Sequence, residues 1–335
     1  MLDAVLHFGA LYTFAHLRLA DLLHAAQNRT LTAEDLAEQC DVRPDLLYRI
    51  LRDLTTAHIV RADTQPGAFT LTEIGATLRS DIPDSMRPAV LTAGKPAWLN
   101  AVPRLAEIVY TGRPVLPGDE DSLYGYLANY PSEATDFEAF MAARSYPIAV
   151  DLADEEELAG VRTIVDVGGG TGTILAELLR AHPHLSGVLV DGPQTAARAR
   201  DRMTQLGLND RCTVTEGDFF TEVPTVKAPP GPAVYTLCSV LHNWGDEQAL
   251  QLLAEVRAAM VATGWTTQLW CVDKLLANGH GPDAGTALDL RMMSLFPHGR
   301  ERTVEEYSGL LLRAGLLPKR IKPLAGLNLV IATLA

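Results

Sequence analysis

Residues 165–172 read VDVGGGTG, and the helical segment ILAELLRAH follows at 174–182. An apolar strand that runs into three glycines and then a helix leaves room for one sharp turn. Bare backbone N–H groups can then face a ligand at the helix N-terminus. Such a unit needs a parallel sheet around it, and the C-terminal half supplies the strands. Candidates are TIVDV (163–167), GVLVD (187–191), CTVTE (212–216), AVYTLC (233–238), TQLWCVD (267–273), PKRIKPL (318–324) and LNLVIAT (327–333). Helical stretches separate the first five, the signature of an α/β sheet. Only Ala325 and Gly326 join the last two, so these must be antiparallel neighbours. A mixed seven-stranded sheet with one reversed edge strand follows.

Before residue 160 the apolar residues recur at helical spacing instead. Residues 1–80 predict a winged-helix-like domain, 81–160 a helical connecting region, and 161–335 the α/β domain. Thr32 followed by Asp35 resembles a capping box opening LTAEDLAEQC, and Pro44 opens PDLLYRILRDLTTAHIV. IVRAD, the turn residues TQPG and AFTLT then form a β-wing. The obvious use of that pattern is DNA binding, and charge opposes it. Residues 31–60 hold six acids (Glu34, Asp35, Glu38, Asp41, Asp45, Asp53) against Arg43, Arg49 and Arg52, whereas a recognition helix needs a basic face. The whole chain is acidic too, with 28 basic and 41 acidic residues and a net charge of −13. Nucleic acid and anionic membranes are poor partners for it. The N-terminal run MLDAVLHFGALYTFAHLRLADLL lacks a basic leader and is interrupted by His7, His16 and Arg18. It predicts an amphipathic packing helix. No apolar run reaches the roughly 18 residues of a membrane span. The four cysteines have no metal-ligand spacing and do not make a disulfide scaffold, which fits a reducing cytoplasm.

The glycine turn is neither a dinucleotide fingerprint, because position 173 is Thr after Gly168 and Gly170, nor a phosphate loop, because no Gly-Lys-Ser/Thr follows. Asp166 stands just before the glycines. A carboxylate there repels a pyrophosphate and attracts an ammonium group, which favours a ligand with a cationic end such as the methionine part of S-adenosylmethionine (SAM). Asp191, followed by Gly192, ends the second strand, where a carboxylate can accept both hydroxyls of a ribose. Asp218 follows the third strand and could accept from an adenine amino group, with Phe219 against the ring. Three acids at the carboxyl ends of successive strands lie where open α/β sheets bind ligands.

These motifs, with FEAFMAARS (137–145), LHNWGDE (241–247), DLRMM (289–293) and RERTVEEY (300–307), resemble the SAM-dependent O-methyltransferases of the plant caffeate/flavonoid type and their bacterial natural-product relatives. The resemblance runs through nearly the whole chain. It implies a Rossmann-like methyltransferase domain behind a winged-helix dimerisation domain, a homodimer, SAM as methyl donor, no metal, and an aromatic small-molecule acceptor. It implies His242 as general base, flanked by Asp273 and Glu301. Ser145 and the backbone at Cys238 match positions near the cofactor. Phe137, Met141, Trp244, Met292 and Phe296 match the acceptor pocket. Three departures stand out. Asn243 follows the His where Asp is usual, Asp273 is one methylene shorter than the usual Glu, and Thr263-Gly264-Trp265 replaces a Gly-Gly.

The chemistry asked of His242 can be sized. A phenol near pKa 10 and an imidazole near 6.5 leave full proton transfer uphill by roughly 5 kcal/mol. A neighbouring carboxylate stabilises the imidazolium, and alignment of oxygen with an activated methyl can supply several kcal/mol more. Two alternatives remain at this stage. The same fold could serve N- or C-methylation or SAM-assisted chemistry without transfer, and the winged helix could belong to a SAM-sensing DNA-binding regulator.

Overall fold

The computed structural model describes residues 3–26, 30–225, 231–279 and 281–335. It divides into two units. The first comprises Met1–Leu99 with Tyr130–Arg144, and the second Asn100–Asn129 with Ser145–Ala335. Residues 81–160 are therefore shared between both, and the 23-residue helix Pro131–Ala153, with Pro147 inside it, contributes to each.

In the first unit the apolar N-terminus forms two helices, α1 (Ala4–His16) and α2 (Leu19–Ala25), not the single helix that its pattern predicts. Arg18 sits between them in the left-handed region, φ 56°. Distant partners hold the break. Arg18 donates to Asp21 at 2.8 Å and to the Ser80 hydroxyl at 3.0 Å, and Asp21 accepts the Ser80 N–H at 2.8 Å. Helices α3 (Ala33–Cys40) and α4 (Pro44–Leu54) follow, and the Thr32–Asp35 capping box is fully formed. A three-stranded sheet of Leu31–Thr32, Ala68–Leu71 and Val60–Ala62 makes the wing. Phe14, Leu19, Leu36, Leu51 and Leu54 form its core. On α4 the charges are largely tied down locally: Arg43 pairs with Asp45, and Arg52 lies over the Tyr48 ring.

The second unit is built on the seven strands foreseen above: β1 (Thr163–Val167), β2 (Ser186–Asp191), β3 (Cys212–Glu216), β4 (Ala233–Cys238), β5 (Thr267–Asp273), β6 (Leu316–Leu324) and β7 (Leu327–Leu334). Their order is 3-2-1-4-5-7-6. One expectation changes. The reversed strand is β7, and it lies inside the sheet, antiparallel to both β5 and β6. The edge falls to β6, which carries Pro318 and Pro323 and a register shift between Pro318 and Arg320. Proline lacks a donor for a second neighbour, so a strand with two of them belongs at an edge.

Both faces of the sheet are covered. One is packed by the helices Asp246–Thr263 and Val304–Arg313 through Leu252, Leu253, Val256, Leu310 and Leu311. The other carries Thr173–Ala181 and Pro193–Gln205 with Trp270, Leu175 and Met203 between layers. That double cover is why β1 and β5 read as continuous apolar runs. Each fully buried Leu or Val contributes about 1.5–3 kcal/mol. Burial on this scale fixes the strand ends, and the strand ends position everything below.

Candidate active site

His242 sits on a short 3₁₀ turn, Leu241–Asn243, just past the carboxyl end of β4. The chain enters it through Ser239, held left-handed at φ 56° while its N–H donates to the Val272 carbonyl at 2.8 Å. Three further groups immobilise the turn. The Arg300 N–H donates to the His242 carbonyl at 2.8 Å. Buried Arg302 donates to the carbonyls of Leu241 (3.0 Å) and Trp244 (2.8 Å) and to Asp246 (2.9 Å). Only a guanidinium carries enough fixed donors to satisfy three acceptors at once. The Asn243 side chain donates to the Tyr124 hydroxyl at 3.0 Å and to the Ser239 carbonyl at 3.4 Å. An ionised Asp, the usual residue there, has no donor for either.

The imidazole is buried, and two buried carboxylates stand on one side of it. Nδ1 lies 2.8 Å from Glu301 Oε1 and 4.0 Å from Asp273 Oδ1. An ionised carboxylate only accepts, so the Glu301 contact fixes the proton on Nδ1 and leaves the Nε2 lone pair free. Glu301 is set in place by its own N–H, which donates to Asp289 Oδ1 at 2.8 Å. Asp273 does not bond to the ring. Its Oδ2 accepts the Tyr307 hydroxyl at 2.8 Å, while Oδ1 has no hydrogen-bond partner among the described residues. Burial pushes Asp273 up to about 6; the charge of His242 opposes that rise, Glu301 adds to it, and the Tyr307 hydroxyl opposes it. At 4 Å, charges in a partly polarisable surrounding still interact by about 4 kcal/mol. The more distant carboxylate is therefore electrostatically part of the site.

The glycine turn lies at the switch point between β1 and β4. Gly168, Gly170 and Gly172 all adopt positive φ, at 68°, 59° and 80°. A Cβ on Gly169 would come 2.5 Å from Asp166 Oδ2, and one on Gly172 2.4 Å from Met203 Cε, whereas one on Gly170 would meet nothing within 4 Å. Gly170 therefore faces open space. Asp166, just before the glycines, lies in the buried part of the strand. It is 1% exposed, accepts the Thr236 hydroxyl from β4 at 2.7 Å through Oδ1, and lies beneath the turn with Oδ2 unpartnered among the described residues. Burial pushes it up to about 6, against the Thr236 bond and with the nearby Asp191 adding to the rise.

Asp191, half-buried at the end of β2, accepts the N–H of Gly170 at 2.9 Å and of Gly192 at 2.7 Å. It ties the glycine turn to the next strand, and each oxygen keeps lone-pair capacity. Asp218 is exposed and accepts the Phe220 N–H at 2.9 Å, closing a turn that presents half-buried Phe219. A Cβ on Gly168 would sit 3.6 Å from the Phe219 ring. Cys238 ends β4, and Ser145 opens the second unit's part of the Pro131–Ala153 helix; both are half-buried.

Of the residues that the resemblance matches to an acceptor pocket, Phe137 and Met141 belong to the first unit, where the Phe137 ring lies tilted 5.8 Å from Trp98 and edge-on 6.2 Å from Phe140. Trp244, Met292 and Phe296 belong to the second. Tyr124, outside the motifs that carry the resemblance, joins this group with its ring 5.2 Å from Phe296 and 6.5 Å from Trp244. Its bond to Asn243 spans 119 positions in the chain, so no local signal could have announced it. The departure at Asn243 was the available clue. Among the described residues no group of three or more His, Cys, Asp or Glu side chains could hold a metal ion.

The order 3-2-1-4-5-7-6, with only the seventh strand reversed and a glycine turn at the switch point, places the second unit in the class of Rossmann-like methyltransferases. The chain belongs to the O-methyltransferase family: residues 106–317 match its O-methyltransferase domain and residues 1–81 its dimerisation domain. Among curated relatives it is 34% identical to the phenazine O-methyltransferase PhzM of Lysobacter antibioticus, over 96% of this chain and 91% of that protein. It is 35% identical to the aclacinomycin 10-hydroxylase RdmB of Streptomyces purpurascens, over 92% and 80%. Among solved structures it matches LaPhzM with TM-score 0.86 and 32% identity, covering 100% of this chain and 98% of that one. It matches the neocarzinostatin O-methyltransferase NcsB1, solved with SAM and 2-hydroxy-5-methyl naphthoic acid, with TM-score 0.77 and 29% identity, covering 98% and 96%.

Proposed function

We propose that the enzyme transfers the methyl group of SAM to a hydroxyl of an aromatic small molecule of secondary metabolism, with His242 as general base. The observation that carries this reading is the Glu301–His242 bond of 2.8 Å. It fixes an Nδ1–H tautomer on a rigid turn and leaves Nε2 as the basic nitrogen. Bound SAM supplies an electrophilic methyl on a sulfonium with a neutral thioether as leaving group. The residues present fit it. Asp191, Gly168, Gly170, Gly192 and the Asp218–Phe219 turn would hold the adenosine end. Gly170 faces open space, and Asp166 leaves one buried oxygen unpartnered beneath the turn, suited to a cationic amine through the loop or a water. Cys238 and Ser145 belong to the same reading.

By the resemblance, Trp244, Met292 and Phe296 are its acceptor-pocket residues in the second unit, and Phe137 and Met141 those in the first. Their apolar rings and thioethers suit a flat aromatic ring. His242 takes the hydroxyl proton at Nε2, and Glu301 and Asp273 stabilise the imidazolium so formed. Similarity to a phenazine O-methyltransferase and a 3-amino-4-hydroxybenzoate 4-O-methyltransferase supports the acceptor class. The match at residues 1–81 supports a homodimer, and four free cysteines suit a cytoplasmic setting. The relative named a hydroxylase keeps SAM-assisted chemistry without transfer as the second reading. Release of S-adenosylhomocysteine with a methylated phenol decides for transfer. His242→Ala should lower turnover by about 10² to 10⁴ with SAM affinity by calorimetry unchanged. A variant of full activity removes His242 from the mechanism.

A further inference from the structure

Two carboxylates serve one nitrogen of His242, yet only one of them touches it. Beside the other stands Tyr307, the last residue of RERTVEEY, to which no role has been given above. Tyr307 is 2% exposed, on the helix Val304–Arg313, and its hydroxyl donates to Asp273 Oδ2 at 2.8 Å. Asp273 Oδ1, the oxygen nearest the ring, has no other partner among the described residues. A buried carboxylate with a single donor is near the limit at which it can stay ionised. Resting on the reading of His242 as base, we propose that Tyr307 is a positioning residue. Its hydroxyl anchors Asp273 as an ionised counter-charge beside His242 without letting it compete with Glu301 for Nδ1–H.

Among the described residues, titratable groups from several elements face Asp273. His242 comes from the turn after β4, Cys238 from the end of β4 and Cys271 from β5. Glu301 and Arg302 come from the segment that pairs with Leu275–Leu276, and Tyr307 from its helix. Asn328, opposite Asp273 in β7, is neutral and accepts the Leu275 N–H. Arg302 also acts on Asp273, and its donors are committed to Asp246, Leu241 and Trp244. Cys271 meets the Tyr307 hydroxyl as well, and Asp273 Oδ1 has no hydrogen-bond partner among the described residues.

The consequence is a sign that activity can read. The competent enzyme needs Asp273 ionised, so protonation of Asp273 contributes to the acid limb of kcat/KM. Removing the Tyr307 hydroxyl takes away a group that holds Asp273 down and so raises it further. In Tyr307→Phe the acid limb should therefore move to higher pH by about one unit, with activity recovering on the alkaline side. In Asp273→Asn the contribution of Asp273 is gone, and the limb should move to lower pH with a reduced plateau. Adding Tyr307→Phe to Asp273→Asn should not move the limb again.

The profiles are measured with SAM and a methyl-accepting phenol, alongside melting curves and SAM calorimetry for each variant. A Tyr307→Phe enzyme whose rate falls evenly at all pH values, or whose limb stays in place, overturns the proposal. So does a limb that moves equally in the Asp273→Asn background. Should Tyr307→Phe not fold, an Asp273→Asn limb identical to that of the parent enzyme overturns it instead. Full activity of His242→Ala sinks the underlying base assignment, whereas an inactive His242→Ala with an unmoved Tyr307→Phe limb sinks only the tyrosine's role.

Discussion

Asp166 and Asp273 both end up buried at the sheet's carboxyl edge, each raised from 3.8 to about 6 with burial as the largest cause. An aspartate raised in the folded state binds a proton there before it does so in the unfolded chain. Between pH 6 and pH 4 the native state thus holds more protons, and the slope of stability with pH is negative. Each aspartate costs the fold stability above pH 6 and returns it as pH falls toward 4. The limit is about 3 kcal/mol per group for a shift of about two units. Denaturant unfolding at pH 7 and pH 5 should show this gain in the parent enzyme and a smaller one in Asp166→Asn. Equal gains in both would mean that Asp166 is ionised in the folded enzyme throughout that window. Such strain suits a group whose free oxygen waits for a cation, and saturating SAM should reduce the pH dependence. The position of Asp166 was legible in the sequence, but its burial was not. In a sheet covered on both faces, alternation carries no information about which strand residues meet solvent.

Strands and turns were legible where their punctuation is local. β1, β2, β3 and β5 are closed by Gly or a charge, β4 is opened by Gly231-Pro232, and Thr32–Asp35 announces a helix start within four residues. The break at Arg18 was not, because Ser80, 62 positions away, makes it. Nor was the contact of Tyr307 with Asp273, because a capping box at Thr303–Glu306 fixes where that helix begins and not which strand end it faces. The glycine turn shows how one element combines two requirements. Alanine at Gly170 meets open space and carries only the left-handed strain of about 1 kcal/mol. Alanine at Gly172 adds a collision with Met203. Gly170→Ala should therefore melt within a few degrees of the parent yet bind SAM at least tenfold more weakly. Gly172→Ala should lose stability first. Calorimetry and melting on the two variants separate ligand space from packing space, and equal affinity in Gly170→Ala would remove that position from the cofactor's surroundings.

At the scale of the molecule, the first unit exposes more apolar surface than its own core can use. Helix α1 buries Ala10, Phe14 and Ala15 but leaves Val5 59% and Leu6 73% exposed. Two neighbouring branched side chains in water forgo about 1.5–3 kcal/mol each that a covering surface would recover. A second copy of the chain is the natural cover, since residues 1–81 match a dimerisation domain. The enzyme should scatter light as a dimer at micromolar concentration. Leu6→Asp places a carboxylate in the covered face, where desolvation without a partner costs several kcal/mol. It should shift the enzyme to monomer with its circular dichroism unchanged, because the side chain supports nothing within its own unit. If the variant stays dimeric at the same concentration, α1 is not the face through which the copies meet, and Val5 and Leu6 are ordinary exposed residues.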